Sequence, residues 1–113
     1  MTDGVGHIYL ETHHWDETVA FWTALGFKLD DATDHGSGRF DPPFGDGPHL
    51  YVAEVPEERD PVSQIYLRVA PGVELAAPPG VATIGAPVDS HWGTRFLQVQ
   101  DPDGRVVVLE QPV

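Results

Sequence analysis

The residue with the clearest capacity for chemistry is His7, which could bind a metal ion or transfer a proton. It begins the tetrapeptide at residues 7–10, and residues 64–67 repeat that tetrapeptide with Gln64 as the single change. The two copies lie 57 residues apart in a chain of 113, and the Asp-Gly pair at 46–47 recurs at the same offset. A repeat of this kind predicts a duplicated module. Because a neutral amide is a poor metal ligand, the two copies differ in chemistry.

The hydrophobic pattern predicts the elements that must position these residues, in a single domain over residues 1–113. The first module, residues 5–56, has the order β-α-β-β-β, and its helix ends at Gly26. The second module, residues 62–111, repeats the order, but Gly72 and Pro78 leave room for only about one helical turn at 73–77. The predicted strands cover residues 5–11, 27–31, 38–41, 49–55, 64–69, 81–84, 94–100 and 105–111, and the first helix covers residues 15–24.

Composition narrows the function. Eighteen acidic residues against six basic ones give a formal charge of −12, which argues against a nucleic-acid partner. The charge either serves solubility alone or also attracts a cationic small molecule, and the charge by itself does not decide between the two. There is no cysteine, which excludes disulfides and thiolate metal sites. Neither a signal peptide nor an apolar stretch long enough to cross a bilayer is present, so we expect a cytoplasmic protein without a membrane partner.

Two motifs resemble the vicinal oxygen chelate superfamily, which includes glyoxalase I, extradiol dioxygenases, fosfomycin resistance enzymes and bleomycin resistance proteins. The first is Val-Ala-Phe-Trp at 19–22 followed by Leu-Gly-Phe at 25–27, and the second is Trp-Gly-Thr-Arg-Phe at 92–96 leading into Asp-Pro-Asp-Gly at 101–104. The resemblance covers residues 5–111. It implies an α+β fold in which two tandem β-α-β-β-β modules form a cupped mixed sheet around a pocket, and it implies a homodimer.

The resemblance also indicates where a metal would bind. In metal-using members, the ligands come from the first and last strands of each module, and here those positions are His7, Tyr51, Gln64 and Val108. Only His7 is a good ligand, because Tyr51 would have to lose a proton and Val108 has no donor atom. We therefore expect no metal cofactor. The alternative is a divalent metal ion held by His7 and Glu110 in a lyase, transferase or dioxygenase.

Strand alternation predicts a polar and aromatic binding face, on which Tyr9 and Glu11 accompany His7. Trp92 could stack on a flat or cationic ligand or lie at a dimer contact. The pattern is closest to that of bleomycin resistance proteins, which bind a cationic antibiotic without a catalytic metal. We thus expect a small-molecule binding protein for an aromatic or cationic compound, and whether it is an enzyme stays open. The predicted ligand-binding residues are His7, Tyr9, Tyr51, Gln64, Tyr66, Arg68, Trp92 and Glu110.

The sequence also indicates roles for five further residues, four aromatic residues and a histidine. Phe40 and Phe44 lie in a Gly- and Pro-rich region and are expected to line the mouth of the pocket. Trp15 and Trp22 are expected to pack the first helix against the sheet. His49 is expected in or beside a loop, and nothing in the sequence pairs it with another residue at metal-ligand spacing.

Overall fold

A computed structural model describes all of residues 1–113, and the fold is α+β, as predicted. The chain divides into two compact units, His7–Ser63 and Met1–Gly6 with Gln64–Val113. No helix is long and apolar enough to cross a membrane. The elements are β1 (Val5–Thr12), α1 (Trp15–Ala24), β2 (Lys28–Asp30), β3 (Ser37–Asp41), β4 (His49–Glu54), β5 (Ser63–Arg68), β6 (Ala82–Asp89), β7 (Thr94–Gln100) and β8 (Val106–Pro112).

In the unit His7–Ser63, the strands lie in the order β2-β3-β4-β1. Strands β1 and β4 are parallel, whereas β2, β3 and β4 are antiparallel neighbours. Phe40, Leu50 and Val52 form the buried core, and Ile8 and Leu10 pack against it from β1. The helix α1 contributes Trp15, Val19 and Trp22, which pack against this core. The predicted packing role of the two tryptophans is therefore confirmed.

The helix α1 has the predicted bounds, and both of its ends are stabilised by identifiable contacts. At the C-terminus, Gly26 N donates to Thr23 O at 3.0 Å, and Phe27 N donates to Trp22 O at 3.1 Å. This is a Schellman motif, which needs the positive φ of 98° that Gly26 adopts. The Trp22 and Phe27 rings meet edge to face at 5.3 Å. The predicted stop at Gly26 is thus confirmed.

The N-terminus of α1 is bound by a residue from another element. His14, at the N-cap position, makes no side-chain cap bond. Instead, Glu54 Oε2 at the end of β4 accepts a hydrogen bond from Trp15 N at 3.2 Å. A carboxylate at this end of a helix also interacts favourably with the helix dipole. Glu54 therefore ties the start of the helix to the sheet.

In the unit formed by Met1–Gly6 and Gln64–Val113, the strands lie in the order β5-β8-β7-β6. Strands β5 and β8 are parallel, and β7 is antiparallel to both of its neighbours. The buried core consists of Val69, Leu97, Val99 and Leu109. The tight turn predicted at 101–104 is present, since Gly104 N donates to Asp101 O at 3.0 Å.

The second helix, which was predicted to be reduced to about one turn at 73–77, is absent altogether, because the structure has no helix between β5 and β6. Gln111 fixes this segment from β8, since its Nε2 donates to Ala70 O at 2.7 Å and to Val73 O at 2.6 Å. Leu75 and Ala77 pack against the core of this unit. An irregular segment therefore covers the core where the first module uses a helix.

Strand β6 extends beyond its predicted end and lies at the edge of its sheet. The prediction stopped at Ile84 because Gly85 and Pro87 follow it. The register shifts between Ile84 and Val88, which is where these two residues lie. Proline cannot donate a ladder hydrogen bond, so an edge strand with a bulge is the position that tolerates it.

Candidate functional site

The unit His7–Ser63 presents two pairs of stacked rings on one face of its sheet. The parallel register sets His7 beside His49 and Tyr9 beside Tyr51. The imidazole centroids are 4.9 Å apart with an interplanar angle of 13°, and the phenol centroids are 6.4 Å apart with an angle of 20°. All four side chains are half-buried. We call these four residues, together with Glu11, the first-sheet face.

His49 lies where the sequence places it, at the end of a loop and the start of a strand, but its contact with His7 was not predicted. It is the first residue of β4 and stacks on His7. The sequence contained a signal for this contact. Residues 49–52 follow the same order as residues 7–10, a histidine, an aliphatic residue, a tyrosine and an aliphatic residue. Two parallel strands with the same pattern bring equal residues together when they pair in register.

Glu11 lies at the end of this face and holds a hydrogen-bonded cluster. Its side chain is 1% exposed. Oε2 accepts hydrogen bonds from Tyr9 Oη at 2.7 Å and from Arg59 Nη2 at 2.6 Å, and Oε1 accepts one from Val62 N at 3.2 Å. Each oxygen of the buried carboxylate is therefore satisfied, as burial requires. The sequence placed Glu11 with Tyr9, but it gave no sign of Arg59, which is 48 residues away.

A guanidinium between two carboxylates lies next to Tyr51. Arg39 is the β3 neighbour of Tyr51. Its Nε donates to Asp41 Oδ1 at 3.0 Å, and its Nη2 is hydrogen-bonded to Asp30 Oδ2. Burial acts to lower the pKa of Arg39, but Asp41 and Asp30 outweigh it and the net pKa is raised. Arg39 was not among the binding residues predicted from the sequence, and it joins them through the pairing of β3 with β4.

The second unit carries the remaining predicted binding residues on β5 and β8. Gln64, Tyr66 and Arg68 alternate along β5 and therefore share a face. The register sets Tyr66 beside Val108 and Arg68 beside Glu110. Strand β7 adds Phe96 and Gln98, whose partners in β8 are Glu110 and Val108. We call these seven residues the second-sheet face. Phe96 and Gln98 were not predicted, although the turn predicted at 101–104 joins β7 to β8 and was a signal that these two strands pair.

Trp92 and Glu110, which the sequence assigned separately to the binding face, are in contact. Trp92 lies in the turn between β6 and β7 and is 61% exposed. Its Nε1 donates to Glu110 Oε2 at 3.0 Å, and Thr94 Oγ1 donates to the same oxygen at 3.0 Å. Ser90 Oγ accepts hydrogen bonds from Trp92 N at 3.2 Å and Thr94 N at 3.0 Å. These bonds fix the orientation of an exposed indole ring.

The pKa of the Tyr66 phenol is raised, first because the side chain is partly buried and second because Glu110 is negatively charged. Above pH 10, roughly where an unfolded tyrosine ionises, the unfolded chain therefore loses this proton while the folded protein retains it. The contribution of Tyr66 to stability is therefore complete below about pH 10. It is lost as the pH rises through the pKa of Tyr66 in the folded protein.

We predict that Tyr66→Phe removes a phenolate absorbance step that the folded wild-type protein shows above pH 10, the approximate pKa of a free tyrosine. Stopped-flow pH jumps, read before unfolding, measure this step. Glu110→Gln should move the step to lower pH, because it removes the neighbouring negative charge. A Tyr66 step at or below the free value would contradict the prediction.

The residues at the four ligand positions do not fit the metal site of metal-using members of the superfamily. The four ligand positions implied by the resemblance include Val108, which is fully buried and has no donor atom. Tyr51 pairs with Tyr9 rather than with His7. Glu110, the alternative ligand, already accepts hydrogen bonds from Trp92 and Thr94. Nowhere in residues 1–113 do three His, Cys, Asp or Glu side chains gather in a way that could hold a metal ion.

No protein-family model matches the sequence, and no curated protein matches it. Solved structures do match. A glyoxalase/bleomycin resistance protein/dioxygenase superfamily member from Vibrio splendidus is similar over 93% of this chain and 96% of its own, with a TM-score of 0.62 and 14% identity.

Two dioxygenases are similar in structure to this chain over part of their own length. The 2,2',3-trihydroxybiphenyl 1,2-dioxygenase from Sphingomonas wittichii matches 100% of this chain with a TM-score of 0.71 and 15% identity. A 2,3-dioxygenase from a Pseudomonas species matches 99% of it with a TM-score of 0.63 and 18% identity. The chain spans 42% of the length of each dioxygenase. The fold of the chain is therefore that of the vicinal oxygen chelate superfamily, as the resemblance in its sequence predicted.

Proposed function

We propose that the protein binds a small organic molecule, aromatic or cationic and of the antibiotic type, without a metal cofactor, as bleomycin resistance-like proteins do. The observation that carries this proposal is the set of four stacked rings on the first-sheet face. Half-buried rings offer a large apolar contact area at a low entropy cost, because each ring is already held by its neighbour. A flat ligand suits such a surface better than a bare ion does.

The second unit supports the same proposal through Trp92. Its indole is exposed, yet its orientation is fixed by Glu110. A ring that is held in place before binding loses little freedom when a ligand stacks on it. Trp92 and the carboxylate of Glu110 also favour a positively charged ligand, as does the formal charge of −12.

The alternative is a divalent-metal lyase, transferase or dioxygenase. Its support is the likeness of the fold to two dioxygenases. A catalytic metal of this kind needs about three protein ligands, and the chain does not bring three such side chains together. We therefore favour binding over metal chemistry, and the homodimer implied by the resemblance remains part of the proposal.

Proflavine, a planar cationic dye, tests the proposal by fluorescence titration. We expect binding that weakens as salt rises. We also expect Tyr51→Ala to weaken binding at least about five-fold, since an aromatic contact is worth roughly 1 kcal/mol beyond its buried area. Phe21→Ala is the matched control, because Phe21 is 57% exposed on α1, which packs against the opposite side of the sheet from Tyr51. Equal affinity of the two variants would contradict binding at the first-sheet face.

The metal alternative has its own measurement. Protein purified without chelator should contain no stoichiometric metal, and Ni, Zn, Mn and Fe ions should not raise its melting temperature. Native mass spectrometry of the same sample would also reveal an organic compound that co-purifies. A bound metal accompanied by a thermal shift would favour the enzyme over the binding protein.

A further inference from the structure

We propose that the first-sheet face selects planar cations that carry N–H donors, such as amidinium groups and protonated amino-heterocycles. The inference rests on the proposed function and adds to it the hydrogen-bonding character of the ligand. Its basis is the direction of the hydrogen bonds made by Tyr9 and Tyr51. A phenol has one proton, so a phenol that already donates this proton can only accept from a ligand.

The proton of Tyr9 is committed to Glu11. The distance from Tyr9 Oη to Glu11 Oε2 is 2.7 Å. Arg59 donates to the same carboxylate oxygen, and the backbone N–H of Val62 donates to the other one. Both oxygens of this carboxylate accept N–H bonds, so Glu11 acts as the acceptor throughout the cluster. The direction of the bond is therefore fixed from Tyr9 to Glu11.

The hydroxyl of Tyr51 also acts as a donor, but its hydrogen bond is longer than that of Tyr9. Tyr51 Oη donates to Ser37 Oγ at 3.4 Å. Ser37 is buried, and its Oγ lies 2.8 Å from Thr33 Oγ1, which gives the Ser37 hydroxyl a partner for its own proton. Both phenol oxygens thus act as acceptors toward any group that contacts them. Of the two, Tyr9 has the shorter bond and the more firmly set direction.

Because the phenol oxygens of Tyr9 and Tyr51 act as acceptors, they favour a ligand that donates hydrogen bonds. A carboxylate or carbonyl group placed against Tyr9 Oη would set one acceptor against another, which leaves both without a hydrogen bond at a cost. An amidinium group supplies several N–H donors in the plane of the ring that it extends. Its positive charge also suits a chain with a net charge of −12.

Three probes of similar size separate the donor effect from charge and shape. Benzamidinium carries a charge and N–H donors, phenyltrimethylammonium carries a charge without donors, and benzoate carries acceptors alone. Titrations followed by NMR shifts of the first-sheet face give the three dissociation constants. We expect benzamidinium to bind about ten-fold more tightly than phenyltrimethylammonium, the factor expected for one well-formed charged hydrogen bond. Benzoate should bind most weakly.

Tyr9→Phe keeps the ring and removes the acceptor oxygen. We expect most of the affinity difference between the two cationic probes to be lost in this variant, because the ring contacts remain and the hydrogen bond to Tyr9 is lost. Tyr51→Phe should lower the affinity ratio of the two probes less. Both probes sample the same folded fraction, so the ratio is unaffected by a loss of stability. Glu58→Gln, an exposed change of one charge, is the control and should keep the wild-type ratio.

Each outcome decides between the two proposals. Equal binding of the two cations by the wild-type protein would overturn the proposed preference for N–H donors and leave aromatic binding intact. An affinity ratio that stays at the wild-type value in Tyr9→Phe would lead to the same conclusion. Tighter binding of benzoate than of benzamidinium would do the same. If none of the three probes shifts the resonances of the first-sheet face, donor selection and the proposed binding function both fail.

Discussion

Glu11→Ala should lower the free energy of unfolding by about 3 kcal/mol, the magnitude expected when a buried, hydrogen-bonded carboxylate is removed from its partners. The change leaves Tyr9 Oη and Val62 N without their acceptor. Arg59 adds less to the loss, because its side chain is 59% exposed and can turn to water. Urea unfolding followed by circular dichroism measures the effect.

Glu57→Ala is the matched control for this experiment. Glu57 is exposed in the connection that also carries Arg59, so its loss should change stability by less than about 0.5 kcal/mol. Glu11→Ala should also weaken proflavine binding, since Tyr9 loses the contact that orients its phenol. A stability loss equal to that of the control would show that the buried cluster contributes little to folding.

Phe40→Ala should have the larger effect, a loss of roughly 3–5 kcal/mol, which is the range for truncating a buried phenylalanine. Phe40 is 0% exposed and lies in the core with Leu50 and Val52. Its ring is 6.2 Å from that of Trp15. Tryptophan fluorescence during urea unfolding reports this change directly, because Trp15 and Trp22 both pack against the same core.

Phe44→Ala provides a close comparison, since Phe44 is four positions away and 88% exposed. We expect it to change the free energy of unfolding by less than about 0.5 kcal/mol. Similar losses for the two variants would contradict the position of Phe40 in the core. The structure also corrects the sequence-based expectation that Phe40 lines the mouth of a pocket, because its side chain faces the core of β3 and β4.

The sequence predicted the elements well where local signals decide them. The helix α1 was placed from its apolar spacing and its glycine stop, and the Schellman bonds at Gly26 show why those signals were sufficient. The segment at 73–77 was predicted less well. Its conformation depends on Gln111, 38 residues beyond Val73, and local spacing carries no information about such a contact.

The residues of the candidate site were likewise predicted where the local pattern decides their position and missed where a long-range contact decides it. Alternation along β1 placed Tyr9 and Glu11 together, and their hydrogen bond confirms it. The partners of these residues were not predicted, because His49 and Arg39 join the face through strand pairing. A comparison of residues 7–10 with 49–52 would have identified His49. Nothing in the sequence near Arg39 indicated that it neighbours Tyr51.

The pairing of β1 with β4 also has a consequence for the unfolded chain. The two strands present the same residue order side by side, in parallel and in register. Equal side chains stacked in this way are also the arrangement of amyloid-like assemblies, in which copies of one segment from many molecules pair with each other. The segment that builds the ring stacks therefore also carries an aggregation hazard whenever it is exposed. Each strand carries one glutamate near its end, Glu11 in β1 and Glu54 in β4, and repulsion between such charges opposes the stacking of further copies.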